Sequence, residues 1–146
     1  GTKADVSIIL SRALVDMELV SLVGVVANLA PAAARARLAR GTYDALGLHA
    51  VPVAIGSEGL PEGSVAPSSE LTTSGASSYQ LREPDETDGV RLMVRAYEAA
   101  EPHSLVLLLI SSMADAARFI ELHDARRESD RARSLLFAPA TPAAAA

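Results

Sequence analysis

Hydrophobic positions along the chain fall into short continuous runs and into longer runs with helical spacing. Three continuous runs, residues 19–27, 51–56 and 104–110, are apolar and mostly branched, which is typical of parallel strands buried on both faces. The run SLVLLLI at residues 104–110 is the clearest strand prediction in the sequence. Pro52 would lose a ladder hydrogen bond inside a strand, so we expect it near a strand start or edge.

Four other stretches have the spacing of amphipathic helices. They cover residues 6–17, 31–47, 83–101 and 111–129. Pro31 suits the first helical position, and Gly47 is a typical helix stop. Because helices alternate with strands, we predict one α/β domain over residues 1–137, with a three-layer, mainly parallel Rossmann-like sheet and helices on both faces.

Two segments stand outside this alternation. Residues 57–78 are rich in Gly, Ser, Pro and Glu, and predict a long flexible loop. Residues 138–146 predict a low-complexity tail.

Polar side chains follow each predicted strand. Asn28 ends the first run, Ser57 and Glu58 follow the second, and Ser111 and Ser112 follow the third. Ligands of parallel α/β sheets bind beyond the carboxyl ends of the strands, so these residues are candidates for a binding site. For Asn28 a local Asx turn into the next helix is an equally open interpretation.

Composition narrows the range of functions. Hydrophobic residues make up 49% of the chain, enough for a globular core. The net charge of −5 argues against a nucleic-acid partner. The chain has no Cys, which excludes disulfides and thiolate chemistry and fits a cytoplasmic protein. No apolar run reaches the length of a membrane span, and we expect no membrane partner.

Common catalytic motifs are absent from the sequence. It contains no P-loop, no G-x-G-x-x-G after a strand and no G-x-S-x-G elbow. The three histidines, His49, His103 and His123, do not have the spacing of metal ligands, which favours surface or helix-end roles.

Three segments carry a family resemblance when they are taken in order. LVGVVANLAP, GLHAVPVAIGSEG and SLVLLLISSMADAA resemble the N-terminal half of the inosine–uridine preferring nucleoside hydrolase family, over about residues 5–122. The resemblance implies a sheet that is shortened relative to the family and hydrolysis of the N-glycosidic bond of nucleosides. It also implies a calcium ion that orients the ribose hydroxyls and activates a water molecule.

The resemblance implies roles for individual residues. Asp5 falls on the first Asp of the pair that ends the family's acidic turn, which makes it a candidate catalytic residue and calcium ligand; Val6 stands where the second Asp is expected. By the resemblance, Ala114 lies near a position whose backbone carbonyl helps bind calcium, and Asn28 matches a position that contacts ribose. Glu58 is a candidate substrate-binding residue because it follows a strand end.

Local interpretations compete with these roles. Asp5 also suits a helix N-cap. Asp115 has capping-box spacing from Ser112, and we expect it to cap the last helix. Glu58 also fits a solvated loop acid.

Two functions therefore remain open from the sequence. One is a calcium-dependent nucleoside hydrolase, or a part of one. The other is a non-catalytic relative that acts in binding or assembly. Because a shortened sheet leaves an exposed edge or face, we expect a homo-oligomer or a partner chain.

Overall fold

The computed structural model describes residues 2–59 and 81–136. These residues form, in chain order, α1 (Thr2–Asp16), β1 (Val25–Ala27), α2 (Ala32–Ala45), β2 (Val53–Ile55), α3 (Gly89–Ala99) and α4 (Ala114–Leu136). Most of the predicted loop over residues 57–78, and the predicted tail over residues 138–146, lie outside the described residues.

A two-stranded parallel sheet forms the centre of the described structure. Val25 of β1 pairs with Val53 of β2, and α2 makes the crossover between the strands. On the outer edge of β2, the N–H of Asp85 donates to the Val53 carbonyl at 2.9 Å and Glu86 forms a parallel bridge to Ala54. The mixed helix-and-strand character predicted from the sequence is confirmed.

Small side chains on one face of α2 allow this helix to approach the sheet closely. The buried core consists of Ala36, Ala39, Tyr43, Leu48, Val51 and Val53. Helix α1 covers the same core with Ile8 and Val15, and Arg12 Nη1 donates to the Leu46 carbonyl at 2.9 Å. Leu10 and Met17, which helical spacing places on the apolar face of α1, are instead 54% and 65% exposed, so that predicted face is wrong.

Helices α3 and α4 pack against each other through aromatic side chains. Asp88 caps α3, because its Oδ1 accepts from the N–H of Val90 at 3.0 Å and of Arg91 at 3.2 Å. The ring of Tyr97 lies edge-on to the ring of His123, with centroids 4.8 Å apart. Within residues 2–59 and 81–136, no helix has both the length and the apolar character that a membrane crossing requires.

The strand predicted over residues 104–110 is not formed. Residues 105–110 have no strand partner, and no backbone hydrogen bond joins them to another described residue. An apolar, branched composition favours a strand only where a neighbouring strand completes the ladder. The sequence pattern of this segment is that of a strand, but it does not specify a partner strand.

Several helix ends differ from the predicted ones: α1 begins at Thr2 rather than at residue 6, α3 begins at Gly89 rather than at residue 83, and α4 extends to Leu136 rather than ending at residue 129. Pro52 directly precedes β2, and Gly47 follows α2 with a φ of +75°, both as expected. Strand β1 is shorter than predicted, because residues 19–24 are not part of the ladder. The N-cap interpretation of Asp5 is wrong, because α1 already begins at Thr2.

Candidate ligand site at the strand ends

Three polar side chains meet at the carboxyl ends of β1 and β2. Asn28 follows β1, Ser57 lies just beyond β2, and Asp115 is in the first turn of α4. The side chain of Asp115 is only 4% exposed. The structure thus brings together the ends of all three predicted strand segments, including the one that is not a strand.

Asp115 is the centre of this group. Its Oδ2 accepts from Asn28 Nδ2 at 2.8 Å and from Ser57 Oγ at 2.9 Å. Its Oδ1 accepts from the N–H of Ser57 at 2.8 Å. A buried carboxylate needs such donors, because burial removes it from water. Both oxygens are therefore engaged, and Asp115 positions its neighbours.

The capping role predicted for Asp115 is wrong. A capping box would turn its carboxylate back to the Ser112 N–H, whereas the carboxylate faces Asn28 and Ser57. Ser112 does contribute to the start of α4, since its Oγ accepts from the Ala114 N–H at 3.2 Å.

The amide of Asn28 has a fixed orientation. Its Nδ2 donates to both Asp115 Oδ2 and the Ser112 carbonyl, the latter at 2.9 Å. Because only the amide nitrogen can donate, Nδ2 must face the two acceptors. Oδ1 therefore points away from Asp115 and Ser112. No described residue donates a hydrogen bond to Oδ1.

The Asx-turn interpretation of Asn28 is wrong. An Asx turn would use the N–H of Ala30, but that group donates to the Glu58 carbonyl at 2.9 Å. Asn28 instead connects β1 to residues far along the chain.

Glu58 lies at the N-terminus of α2. Both of its carboxylate oxygens are 3.3 Å from the N–H of Ala32, the first residue of that helix. A negative charge is favourable there, because the helix N-terminus carries a partial positive charge. Glu58 is exposed, and its carboxylate contacts the start of α2.

Gly56 makes the close approach of these elements possible. A Cβ atom at this position would lie 2.8 Å from Asn28 Cβ and 2.9 Å from Asp115 Oδ2. Both distances are shorter than van der Waals contact, so any side chain here would separate Asn28 from Asp115.

The described side chains show no cluster of carboxylates or histidines that could hold a calcium ion. Calcium takes six to eight oxygen ligands, and no three His, Asp or Glu side chains of the described residues converge on one point. The oxygens of Asp115 already accept from three donors. Ala114 is the first residue of α4, so its carbonyl points along the helix axis. The side chain of Asp5 lies outside the described residues, and its role as a ligand stays a prediction.

An open cavity of about 500 Å³ lies at the other end of the strands. Its lining is mostly apolar: Val15, Glu18, Leu19, Val20, Ser21, Leu22, Leu48 and Val51. It holds none of the residues that the sequence indicated for binding, so the strand-end group is the better candidate site.

A second polar group, centred on Arg40, is not indicated by the hydrophobic pattern of the sequence. Arg40 is buried, and it donates to Asp44 at 2.7 Å and to Asp85 Oδ2 at 3.0 Å. Burial alone would lower the pKa of Arg40, but the hydrogen bonds and charges of Asp85 and Asp44 outweigh it and raise the pKa. The Arg40–Asp44 spacing of four residues on a helix was the available signal.

Comparisons with known proteins gave no relative: no protein-family model, curated protein or solved structure matches this chain. The resemblance to nucleoside hydrolases therefore stands on the three sequence segments alone. The geometry at the strand ends is independent of that resemblance.

Proposed function

We propose that this chain is a cytoplasmic α/β domain of the nucleoside hydrolase type that binds the ribose of a nucleoside at the carboxyl ends of β1 and β2. The observation that carries the proposal is the amide of Asn28, held by Asp115 and the Ser112 carbonyl where parallel α/β sheets bind ligands. In this proposal, β1 and β2 belong to the sheet of a three-layer Rossmann-like fold, and α2 is one of the helices that cover it.

The chemistry of the site suits a sugar hydroxyl. Asn28 Oδ1 is an acceptor whose direction is set by the two bonds on Nδ2, and a ribose hydroxyl can donate to it. Because the amide is already ordered, binding loses little side-chain entropy. Glu58, which is exposed, supplies a second set of acceptors in this proposal.

The proposed hydrolysis rests on the resemblance of the sequence to nucleoside hydrolases. Cleavage of an N-glycosidic bond needs a group that takes a proton from the attacking water. Asp115 does not suit this role, since both of its oxygens accept hydrogen bonds from the protein. Asp5 is the proposed catalytic residue, and any calcium would depend on Asp5 and on oxygens beyond those of the described cluster.

Isothermal calorimetry with a purine and a pyrimidine ribonucleoside, each beside its 2′-deoxy analogue, tests ribose binding. We expect the ribonucleosides to bind more tightly than the deoxy analogues. Asn28→Ala should weaken binding about tenfold or more, because the hydrogen bond between the ribose hydroxyl and Asn28 Oδ1 is lost. Asp124→Asn, at an exposed acid on α4, is the matched control and should bind as the unaltered chain does. Equal binding of ribo and deoxy forms would exclude the proposal.

An assembly module without catalysis is the second candidate function. Six consecutive large apolar side chains, residues 105–110, are between 36% and 85% exposed. Contiguous apolar surface of this kind marks interaction sites in folded proteins. This surface supports a homo-oligomer or a partner chain, whether or not the strand-end site binds ribose.

A further inference from the structure

Glu18 follows helix α1 in a left-handed backbone conformation, with a φ of +57°. Its N–H donates to the Val15 carbonyl, and the N–H of Leu19 donates to the Leu14 carbonyl, each at 3.0 Å. These two bonds form the Schellman motif that ends many helices, and the left-handed position of that motif is usually Gly. A residue with a Cβ atom is strained in this conformation. The turn at the end of α1 therefore does not explain why this position holds a glutamate.

The charge of Glu18 is also unfavourable at the end of a helix. The C-terminus of a helix carries a partial negative charge, which repels a carboxylate. Within residues 2–59 and 81–136, no hydrogen bond or ion pair compensates for this, and the nearest basic residue in the sequence, Arg12, pairs with Asp16. A residue that is unfavourable both in its backbone and in its charge is typical of a functional site.

Glu18 belongs to the lining of the open cavity of about 500 Å³ described above. Two buried core residues, Leu48 and Val51, also line this cavity. Among the described residues, Glu18 is the only charged member of the lining, and Ser21 is the only other polar one. Small-molecule sites in proteins enclose about 300–1,000 Å³ and combine apolar walls with a few polar groups that orient the ligand. This cavity has both properties.

We propose that the cavity binds an aliphatic amine, with the alkyl chain against the apolar lining and the ammonium group beside the Glu18 carboxylate. Charge complementarity identifies the ligand as a cation, because an anion would face Glu18 in a chain with a net charge of −5. An exposed ion pair contributes little alone, so burial of the alkyl chain supplies most of the affinity. Glu18 supplies the preference for a cation. The inference does not rest on ribose binding, since the cavity contains none of the strand-end residues.

Calorimetric titration with octylammonium, octanol, octanoate and hexylammonium tests this proposal on the unaltered chain. We expect a Kd of roughly 0.1–1 mM for octylammonium. Octanol should bind about threefold more weakly, because it lacks the ion pair, and octanoate should bind most weakly. Hexylammonium should bind about tenfold more weakly than octylammonium, because it buries two methylene groups fewer. A ranking in which octanol or octanoate equals octylammonium, or no dependence on chain length, would overturn the proposal.

Two substitutions of Glu18 separate its charge from its backbone conformation. Glu18→Gln keeps the size of the side chain and should bind octylammonium no better than octanol. Glu101→Gln, at an exposed acid outside the cavity lining, is the matched control and should keep the preference. Glu18→Gly should also lose the preference, yet raise the melting temperature by about 2–4 °C, because it relieves the left-handed strain.

Three results of these measurements would contradict the proposal. Retention of the amine preference in Glu18→Gln would show that Glu18 does not bind the ammonium group. A lower melting temperature of Glu18→Gly would show that Glu18 has a structural role instead. Affinity for octylammonium that falls as the protein concentration rises would show that a second copy of the chain occupies the cavity.

Discussion

At the scale of single residues, Asp115 forms hydrogen bonds to the residues that follow β1 and β2. Both residues lie far from Asp115 in the sequence. Asp115 accepts a hydrogen bond from Asn28, 87 residues earlier, and from Ser57, 58 residues earlier. A buried carboxylate with three donors is stable only while all three remain in place. The position of Asn28 therefore depends on Asp115 as much as on β1.

Asp115→Asn tests this dependence with almost no change in size. One carboxylate oxygen becomes an NH₂ group, which faces the donors of Ser57 or Asn28. We expect unfolding by urea to show a loss of about 1–3 kcal/mol, the cost of an unsatisfied buried donor, together with weaker ribonucleoside binding. Asp124→Asn is again the control. Stability and binding equal to the unaltered chain would show that Asp115 does not position Asn28.

Gly56→Ala tests the close packing of the same group. The added methyl lies 2.8 Å from Asn28 Cβ, so we expect a loss of about 1–3 kcal/mol from overpacking and reduced ribonucleoside binding. Gly47→Ala is the comparison. The positive φ of Gly47 makes this substitution destabilising as well, but the added methyl would have no neighbour closer than 3.7 Å. Gly47→Ala should lower the melting temperature and leave binding unchanged. Equal effects of the two variants on binding would contradict the assigned packing.

Calcium binding is a separate prediction at the residue scale. The described oxygens do not converge into a cluster of calcium ligands, so a calorimetric titration should give a Kd of about 1 mM or weaker. Asp5→Ala should not change that result. Micromolar binding that Asp5→Ala removes would instead show a calcium site built on Asp5.

At the scale of elements, the Arg40 group holds the segment before α3 on the edge of the sheet. Asp85 Oδ2 accepts from Arg40 Nη1 and, at 2.8 Å, from the N–H of Val53. Asp44 connects the same arginine to His49, whose Nδ1 lies 3.1 Å from Asp44 Oδ1. The outer edge of β2 is thus covered by side-chain and backbone bonds from one short segment.

Asp44 makes this element sensitive to acid. Burial works against its charge, but hydrogen bonds from His49 and Arg40 and the charges of Arg40 and Arg82 outweigh burial and hold the pKa of Asp44 below its usual range. A lowered pKa stabilises the fold above about pH 4, and this contribution disappears as the pH falls through the folded value. Urea unfolding should show Asp44→Asn less stable than the unaltered chain at pH 7, with the difference closing in acid. A difference that does not change with pH would contradict this.

The elements also show what a sequence can and cannot predict. The places where β1 and β2 end and the turn at Gly47 follow from local spacing, and these predictions agree with the structure. The segment at residues 104–110 has the composition of a strand, but pairing depends on a neighbour that composition does not specify. The hydrogen-bond partners of Asp115 are also distant in sequence. Local spacing therefore predicts a capping role and cannot predict these partners.

At the scale of the whole molecule, a net negative charge and an exposed apolar segment have opposite effects on association. In the homo-oligomer proposed above, the net charge of −5 makes two copies repel each other, while contact through the exposed apolar residues 105–110 would attract them. Salt shortens the range of the repulsion from about 30 Å at 0.01 M to about 8 Å at 0.15 M.

Dimerisation should therefore strengthen with salt. Sedimentation equilibrium across this range of sodium chloride should give a lower Kd at higher salt. An association that weakens with salt would mean that ion pairs hold the copies together, which is incompatible with contact through the uncharged residues 105–110. Ile120→Lys, at an exposed position on α4, is the control and should follow the salt dependence of the unaltered chain.

The central claim is that the ordered amide of Asn28 makes the carboxyl ends of β1 and β2 a ribose site. The most direct measurement is calorimetric titration of a ribonucleoside and its 2′-deoxy analogue into the unaltered chain and into Asn28→Ala. The account predicts that the unaltered chain prefers the ribonucleoside and that Asn28→Ala loses both the preference and most of the affinity. Binding that ignores the 2′-hydroxyl, or that survives in Asn28→Ala, would contradict it.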